Sequence, residues 1–536
     1  MNEKSQEKFE LSEKIRAVRR LKKLLGRSFY SFIGRFGKPT TVQLAAVEPI
    51  LSGKNVLLVA PTASGKTEAV LAPVVERIAR GCRDSLSVLY IVPTRALANN
   101  LLQRMAPPLD HLSFRTATKH SDSPHISLPL DFLITTPESL DSLLCRRPHF
   151  FQRLRAVIVD EVHVLDGTCR GDQLRVLLSR LGKTSRISPL QIILVSASVH
   201  DPQVIAERYV TDPTVIEIKE SRQWELCFFH SLEDFVKCVR HRRLRKILCF
   251  CNYRESAEQT AKNLHSLLPS YPVFVHHGSL SRSKRLETED ALRHSPVSIC
   301  VATSTLEVGI DIGNIDFILL VEVPWSASSM MQRVGRGNRR SRNILAGALI
   351  RSRTEKEILT AMHDAIFQGV LEPVEYHPDP GVIVQQIFSC AFQFRNGVSH
   401  DYLASVLSPL CASSRLLTYV DFLCESGWLV PHRGKLFASE KLMNLGERGK
   451  IHSNIPDGAA LSVIDSTTQK VIGRIDGNFD EVFILARRAW KVVKVDGRCV
   501  YVRPYHGKAS PASFIPRRNR SSFNRILPPS LREEDH

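Results

Sequence analysis

The sequence predicts an α/β protein built on two tandem doubly wound parallel sheets, followed by helices with a β-wing and then a small β-rich domain. Three patterns in the 536 residues predict this. First, short apolar runs such as NVLLV, SVLYIV, FLIT, RAVIV and QIILV each lead into small or hydroxyl residues and then a helical pattern. That alternation marks βα units in a sheet covered on both faces. Second, it restarts after residue 217 with KILCFC, VFV, VSICVA and two further apolar strands around 317–321 and 347–350. Third, the Pro-rich stretch PVEYHPDP (373–380) acts as a linker, after which the pattern changes. Residues 382–392, 402–407 and 420–426 read as helices, with a wing at 427–430 and 435–437. Alternating runs broken by Asp-Gly turns then suggest a small barrel or sandwich. The expected domains are a basic helical segment (1–35), sheet domains at 36–217 and 218–370, the helix-and-wing segment at 371–443, the β-rich part at 444–510 and a basic tail at 511–536.

Composition narrows the function classes. Lys and Arg outnumber Asp and Glu by 73 to 54, a net charge of +19, which favours a polyanionic partner, most simply nucleic acid. No apolar run is long enough to span a bilayer, and the charged N-terminus lacks the core of a secretory signal, so a membrane role is not expected and a cytoplasmic location is. Twelve cysteines are scattered without a CxxC pair, the usage of reduced core thiols.

The centre of the pattern is APTASGKT, Ala60 to Thr67, between an apolar strand and a helix start. A strand, a tight loop of small residues and Gly65-Lys66-Thr67 opening a helix form a phosphate cradle. Backbone N–H groups of Ala63, Ser64 and Gly65 face the anion, Lys66 supplies a point charge, and the Thr67 hydroxyl can ligate Mg²⁺. Upstream, the amide of Gln43 suits the two-point edge of adenine. After RAVIV come Asp160 and Glu161: the first can hold Mg²⁺ through water, the second can polarise the water that attacks a γ-phosphate. Thr94-Arg95 and Thr136-Pro137 close two strands with exposed backbone suited to sugar and phosphate contacts. The second sheet domain has no phosphate loop. It offers instead Arg336 and Arg339, three apart on an expected helix and able to stabilise transferring phosphate.

The ordered series PTTVQ, APTASGKT, PTRAL, TTPES, DEVH, SAS, TSTLEVGID and QRVGRGNR resembles the motifs of superfamily 2 helicases. HHGSLS, LEVGIDIG, the DEVH box and the downstream part look most like the large helicase-related (Lhr) proteins, with a shortened C-terminal region. The resemblance implies two RecA-like lobes, a winged helix and a β-rich domain. It makes Gln43 the adenine reader, Gly65, Lys66 and Thr67 the triphosphate and Mg²⁺ site, and Asp160 and Glu161 the metal and catalytic carboxylates. His163, Ser196 and Ser198 become couplers, Gly309 and Asp311 face the nucleotide, Gln332 positions the attacking water or γ-phosphate, and Arg336 and Arg339 are arginine fingers. Thr94, Arg95, Thr136, Pro137 and Thr303 fall where such proteins grip a single strand. Ala63 and Asn338 replace glycines usual in these motifs, and Ser198 replaces threonine, keeping the hydroxyl.

The implied activity is an ATP- and Mg²⁺-dependent translocase acting 3′ to 5′ on DNA, with RNA or hybrid duplexes left open, in repair or related processing as a monomeric motor. The alternative is a nucleic-acid-stimulated ATPase that remodels or binds within a larger repair or defence assembly, where a protein partner completes it.

Overall fold

The computed structural model describes residues 15–532 except 62–63, 82–84, 124, 198, 219–222, 308–311, 339–342, 371–375, 456–460, 476–478, 487, 506, 508 and 512–519. The chain divides into two compact units, one of residues 1–219, 373–456 and 519–536, the other of 220–372 and 457–518. Among the described residues no helix is long and apolar enough to cross a membrane. All eleven described cysteines are free thiols.

In the first unit seven strands form one sheet in the order β3-β4-β2-β5-β6-β1-β7. They are β1 (Val56–Val59), β2 (Val88–Ile91), β3 (Thr116–Lys119), β4 (Phe132–Thr135), β5 (Ala156–Val159), β6 (Gln191–Ser196) and β7 (Thr214–Glu217). Every pairing is parallel. The central strands β1, β2, β4 and β5 are buried at every position, as strands covered by helices on both faces must be. Register pairs Val59 with Ser196 and Val159 with Leu194, so the loops after β1 and β5 leave the same carboxyl edge with β6 between them.

The N-terminal basic helix is part of this unit. Leu21, Leu25, Phe29, Phe32 and Ile33 are buried, and the Glu76 carboxylate accepts from the Arg27 and Ser28 backbone N–H groups. Arg16, Arg19, Lys22 and Lys23 occupy the exposed face.

Residues 380–455 pack against the same sheet domain. Their order is helix Pro380–Gln393, strand β14 (Val398–Ser399), helices His400–Leu407 and Ser413–Glu425, then hairpin β15 (Leu429–His432) and β16 (Lys435–Ala438), the element order of a winged helix. The hairpin closes through Arg433 and Gly434, both at positive φ (47° and 72°), the twist-compatible two-residue turn. The joint with the sheet domain is a buried polar cluster. The Arg180 guanidinium donates to Asp141 (2.7 Å), Gln386 (2.9 Å), Ser389 (3.0 Å) and Gln393 (2.7 Å), and the His452 imidazole bonds the other Asp141 oxygen at 3.0 Å. Burial opposes ionisation of Asp141, but the His452 hydrogen bond and the Arg180 charge hold its carboxyl below the usual range. Burial likewise opposes the His452 cation, yet its bond to Asp141 raises the pKa to about 9. Asp141, Cys145 and His452 place ligand-type atoms within 4.8 Å of one another, but the guanidinium already held by Asp141 disfavours a second cation there.

The expected basic tail also differs. Residues 520–532 return to this unit: Phe523 and Leu527 are buried, Phe523 packs edge-on against Phe388, and Asn524 donates to Asp379 at 2.6 Å. The two apolar side chains, set among basic ones, give this segment a surface to bury.

In the second unit β8 (Gln223–Phe229), β9 (Lys246–Phe250), β10 (Val273–His276), β11 (Ser298–Ala302), β12 (Phe317–Leu320) and β13 (Asn343–Leu349) form a parallel sheet, order β10-β11-β9-β12-β13-β8. The β-rich part is one mixed six-stranded sheet, order β18-β17-β21-β20-β19-β22, with β17 (Leu461–Asp465), β18 (Val471–Ile475), β19 (Val482–Leu485), β20 (Arg488–Asp496), β21 (Cys499–Pro504) and β22 (Ser510–Pro511). Among the described residues its edge strands do not pair to close a barrel. It shares a core with the parallel-sheet domain, where Ile472, Phe483 and Trp490 join Phe235, Leu264 and Leu280. HHGSLS forms the seam. Glu258 and His277 are fully buried and hydrogen-bonded at 3.0 Å, Glu258 also accepts from Ala486 N–H at 2.6 Å, and Arg474 N–H donates to the Ser279 carbonyl at 2.7 Å.

Two outcomes follow from these joints. The folded pKa of His452, about 9, lies above its unfolded value of about 6.5, so its stabilisation is full below about pH 6.5 and disappears as pH rises to about 9. Melting temperature measured across pH 6 to 9.5 should fall in that window, and His452→Gln should flatten the fall. Gly473→Val should destabilise the protein by about 1–3 kcal/mol in urea unfolding, because even a Cβ there meets the Ser279 carbonyl oxygen at 2.6 Å.

Candidate active site

The loop after β1 is built for an anion. Ala60 N–H bonds the Ser196 carbonyl at 3.2 Å, tying the loop to β6, and the Ser64 hydroxyl donates to the Pro61 carbonyl at 2.7 Å. Gly65 adopts the left-handed conformation (φ 86°, ψ 26°) at the N-cap of helix Lys66–Ala79. A Cβ there would also lie 2.9 Å from the Gln43 amide nitrogen, so both backbone and space require glycine. Lys66 opens the helix, is 8% exposed, and donates its ammonium to the Ala60 carbonyl at 2.7 Å. Thr67 is half-buried beside it, and Ala63 lies outside the described residues.

Gln43 reaches the same loop but is already half used. Its Oε1 accepts from Thr40 N–H at 3.0 Å while the Thr40 hydroxyl accepts from Gln43 N–H at 3.3 Å, a reciprocal helix cap. In this conformation the Nε2 donor faces the loop while the carbonyl oxygen caps its own helix.

Asp160 and Glu161 leave the end of β5, each 7% exposed. Asp160 accepts from the Tyr90 hydroxyl at 2.9 Å and from Glu161 N–H at 3.0 Å. Burial, with the Glu161 carboxylate beside it, pushes the Asp160 carboxyl up to about 6, against the pull of Lys66 and the Tyr90 hydrogen bond. Glu161 sits at φ 49°, ψ 47°, a left-handed conformation uncommon outside glycine and often found at functional sites. His163 Nδ1 lies 3.7 Å from the Glu161 carboxylate, 3.0 Å from the Ser196 hydroxyl and 3.4 Å from Ala197 N–H. Ser198 lies outside the described residues.

Four of the residues expected to grip a strand sit at helix starts on the same carboxyl edge. Thr94 caps helix Arg95–His111 through Leu97 N–H, exposed Arg95 pairs with Asp122 at 2.7 Å, and buried Thr136 with Pro137 opens helix Pro137–Arg146.

In the second unit Thr303 follows β11 and is 6% exposed. Gln332 lies on helix Ala327–Val334. Arg336 lies beyond that helix, not on it: the helix ends at Val334 because Gly335 and Gly337 break it, so the helical position expected for Arg336 does not form. The Arg336 guanidinium, 3% exposed, donates to the Glu307 carbonyl at 3.0 and 2.5 Å. Gly309, Asp311 and Arg339 lie outside the described residues.

Three residues here escape sequence reasoning. Tyr90 supports Asp160, and the available signal was a hydroxyl inside an all-apolar strand, which must find a partner. Arg333 donates to Glu307 at 2.7 Å and to Asn252 Oδ1 at 2.8 Å, fixing the loops after β9 and β11. Asn252 donates its amide to the Val323 carbonyl at 2.8 Å, and Tyr253 takes the N-cap position of the helix that follows.

A phosphate loop and a buried carboxylate pair at one sheet edge, with a second parallel sheet of matched design, define the class of two-lobed P-loop NTPases. Residues 40–205 match the DEAD/DEAH box helicase model and residues 229–341 the helicase conserved C-terminal domain. The chain belongs to the superfamily 2 helicases of the DEAD/DEAH type. It is similar to ATP-dependent helicase Lhr-Core protein 2 of Thermococcus barophilus, 29% identical over 89% of this chain and 63% of the relative. The Lhr helicase/probable uracil glycosylase of Mycolicibacterium smegmatis is 30% identical over 59% of this chain and 26% of its own length. Among solved structures, Mycobacterium smegmatis helicase Lhr bound to ssDNA and AMP-PNP aligns with TM-score 0.72 at 26% identity, covering 81% of this chain and 62% of that one. The DUF1998 helicase MrfA bound to DNA aligns with TM-score 0.74 at 19% identity, covering 90% and 73%, a likeness of fold. The chain thus spans less than two thirds of the length of the Lhr-Core relative.

Tyr90→Phe should raise the Asp160 pKa further, because the hydroxyl bond favours the ionised carboxylate. The acidic limb of the pH profile for Mg²⁺-nucleotide affinity should then move to higher pH; an unmoved limb would deny Tyr90 this supporting role.

Proposed function

We propose that the protein is an ATP-driven motor on nucleic acid, with residues 36–217 and 218–370 as its lobes and 371–443 and 444–510 as accessory domains. The observation that carries this is Lys66, an ammonium resting on its own loop carbonyl beside two buried carboxylates. A triphosphate offers Lys66 stronger acceptors than Ala60, so anion binding would draw the ammonium outward. The Asp160 carboxyl, pushed up to about 6 by burial and by Glu161, fits a divalent cation. Thr67 and Asp160 would hold Mg²⁺, and the metal would supply charge neutralisation at the β- and γ-phosphates.

The chain's own residues do the rest. Backbone N–H groups of the loop, with Gly65, orient the phosphates, and the Nε2 of Gln43 donates to the adenine edge. Glu161 takes the proton of the attacking water, positioned with help from Gln332. Arg336 and Arg339 act as arginine fingers, and Gly309 and Asp311 complete the nucleotide contact. His163, joined to Ser196 and near Glu161, passes the state of the phosphate site to β6, with Ser198 as a further coupler. Thr94, Arg95, Thr136, Pro137 and Thr303 hold one strand, so alternating closure and release would shift the grip along it. The M. smegmatis Lhr structure, solved with ssDNA and AMP-PNP, supports DNA as the track and ATP as the fuel. Movement 3′ to 5′ with strand separation, in repair or related processing, is the reading adopted.

Lys66→Ala and Glu161→Gln should each lower ATP turnover by about 10²-fold or more while single-strand binding persists. Normal turnover by either variant removes the catalytic assignment. Strand displacement on 3′-tailed against 5′-tailed DNA and RNA duplexes tests polarity and strand type. Nucleic-acid-stimulated turnover with no displacement on any of them would point to a remodelling ATPase instead.

A further inference from the structure

The first unit carries an electropositive cavity that none of the motor residues uses. At the outer edge of its sheet, Lys119, His125, Arg146 and Arg147, with Ile126 and Leu143, line a space of about 200 Å³, and no carboxylate is among its lining residues. Lys119 ends edge strand β3, is the register partner of Thr135, and accepts the Thr135 hydroxyl on its carbonyl at 2.8 Å. Arg146 ends helix Pro137–Arg146, and Arg147 is its C-cap. The Arg146 guanidinium is held by the Gly446 and Glu447 carbonyls at 3.1 and 3.2 Å and lies 6.0 Å from the centre of the Phe392 ring. Arg147 and His125 are exposed.

The cations along this cavity repel one another. Burial first, then the Arg147 and Arg146 charges, push the Lys119 ammonium pKa down. A bound phosphate would relieve that repulsion, and the space has room for one with a few waters, taking about 30 Å³ per water. Lys119 pairs with Thr135, which immediately precedes Thr136 and Pro137, so the Lys119 wall of the cavity lies one strand beyond the proposed grip, while Arg146 and Arg147 lie at the far end of the helix that starts there.

We propose that the cavity formed by Lys119, Arg146 and Arg147 binds a backbone phosphate of the nucleic acid, extending the first unit's grip to its edge strand. This rests on the nucleic-acid reading above. The phosphate ligand is recognised by charge, so contact is independent of base sequence.

The test is the salt dependence of affinity for a single-stranded DNA and for a duplex, in the full chain and in Lys119→Ala/Arg147→Ala, with equal melting temperatures establishing that the variant folds. Loss of one phosphate contact should make the slope of log Kobs against log salt shallower by roughly 0.7 on a single strand or 0.9 on a duplex. ATP turnover without nucleic acid should not change. Lys119→Arg/Arg147→Lys should restore the slope, which a merely structural role would not require. A variant with unchanged slope and affinity on both substrates overturns the proposal. So does inorganic phosphate that raises the melting temperature of the full chain but not of the variant while the slopes stay equal, since that marks a free-anion site. If the unaltered chain binds no nucleic acid, the motor reading falls, a result distinct from failure of the cavity alone.

Discussion

One buried ammonium against two buried carboxylates sets the chemistry of the first unit. Lys66 cannot be hydrated in a loop that leaves it 8% exposed, so it takes the Ala60 carbonyl as an acceptor. Asp160 cannot shed its charge into water either, and it leans on Tyr90 and on the Glu161 N–H. Two residues in these loops take the left-handed conformation: Gly65 at the N-cap of its helix, and Glu161 directly after Asp160.

The accessory elements are not appended as beads on a string. In the first unit the helix-and-wing segment is joined by Arg180, which reaches five side chains from full burial. A buried guanidinium is costly unless its donors are met; here Asp141 supplies the countercharge, four neutral partners take further donors, and Nε is left without a partner among the described residues. In the second unit Glu258 and His277 play the corresponding part for the β-rich sheet. Such joints are directional, so they fix how each accessory element lies on its own parallel sheet as well as holding it there. HHGSLS owes its pattern to this seam: Gly473 has no room for a side chain because the Ser279 backbone presses on it.

Much of the motor fold was legible because parallel strands buried on both faces leave continuous apolar runs, as in VLLV and AVIV, and because the phosphate loop and the DEVH box follow such runs directly. The helix expected to carry Arg336 stops short of it, because after Val334 the sequence offers Gly335, Gly337 and Asn338 and no further apolar residue to bury. Arg180 and Arg333 were invisible as buried groups, since an arginine on a helix reads as solvent-facing until its partners, distant in sequence, are known. Gln43 was placed near the loop, but its use as a helix cap depends on a rotamer that no pattern records.

The amino-acid order alone determined the two parallel sheets, the anion-binding turn and the carboxylates that follow β5, because each is a local consequence of residue type and spacing. Only the tertiary structure decided which distant side chains neutralise one another: Tyr90 with Asp160, Arg180 with Asp141, Glu258 with His277. The physical reason is that burial makes a polar group's partner obligatory without specifying where in the chain that partner comes from.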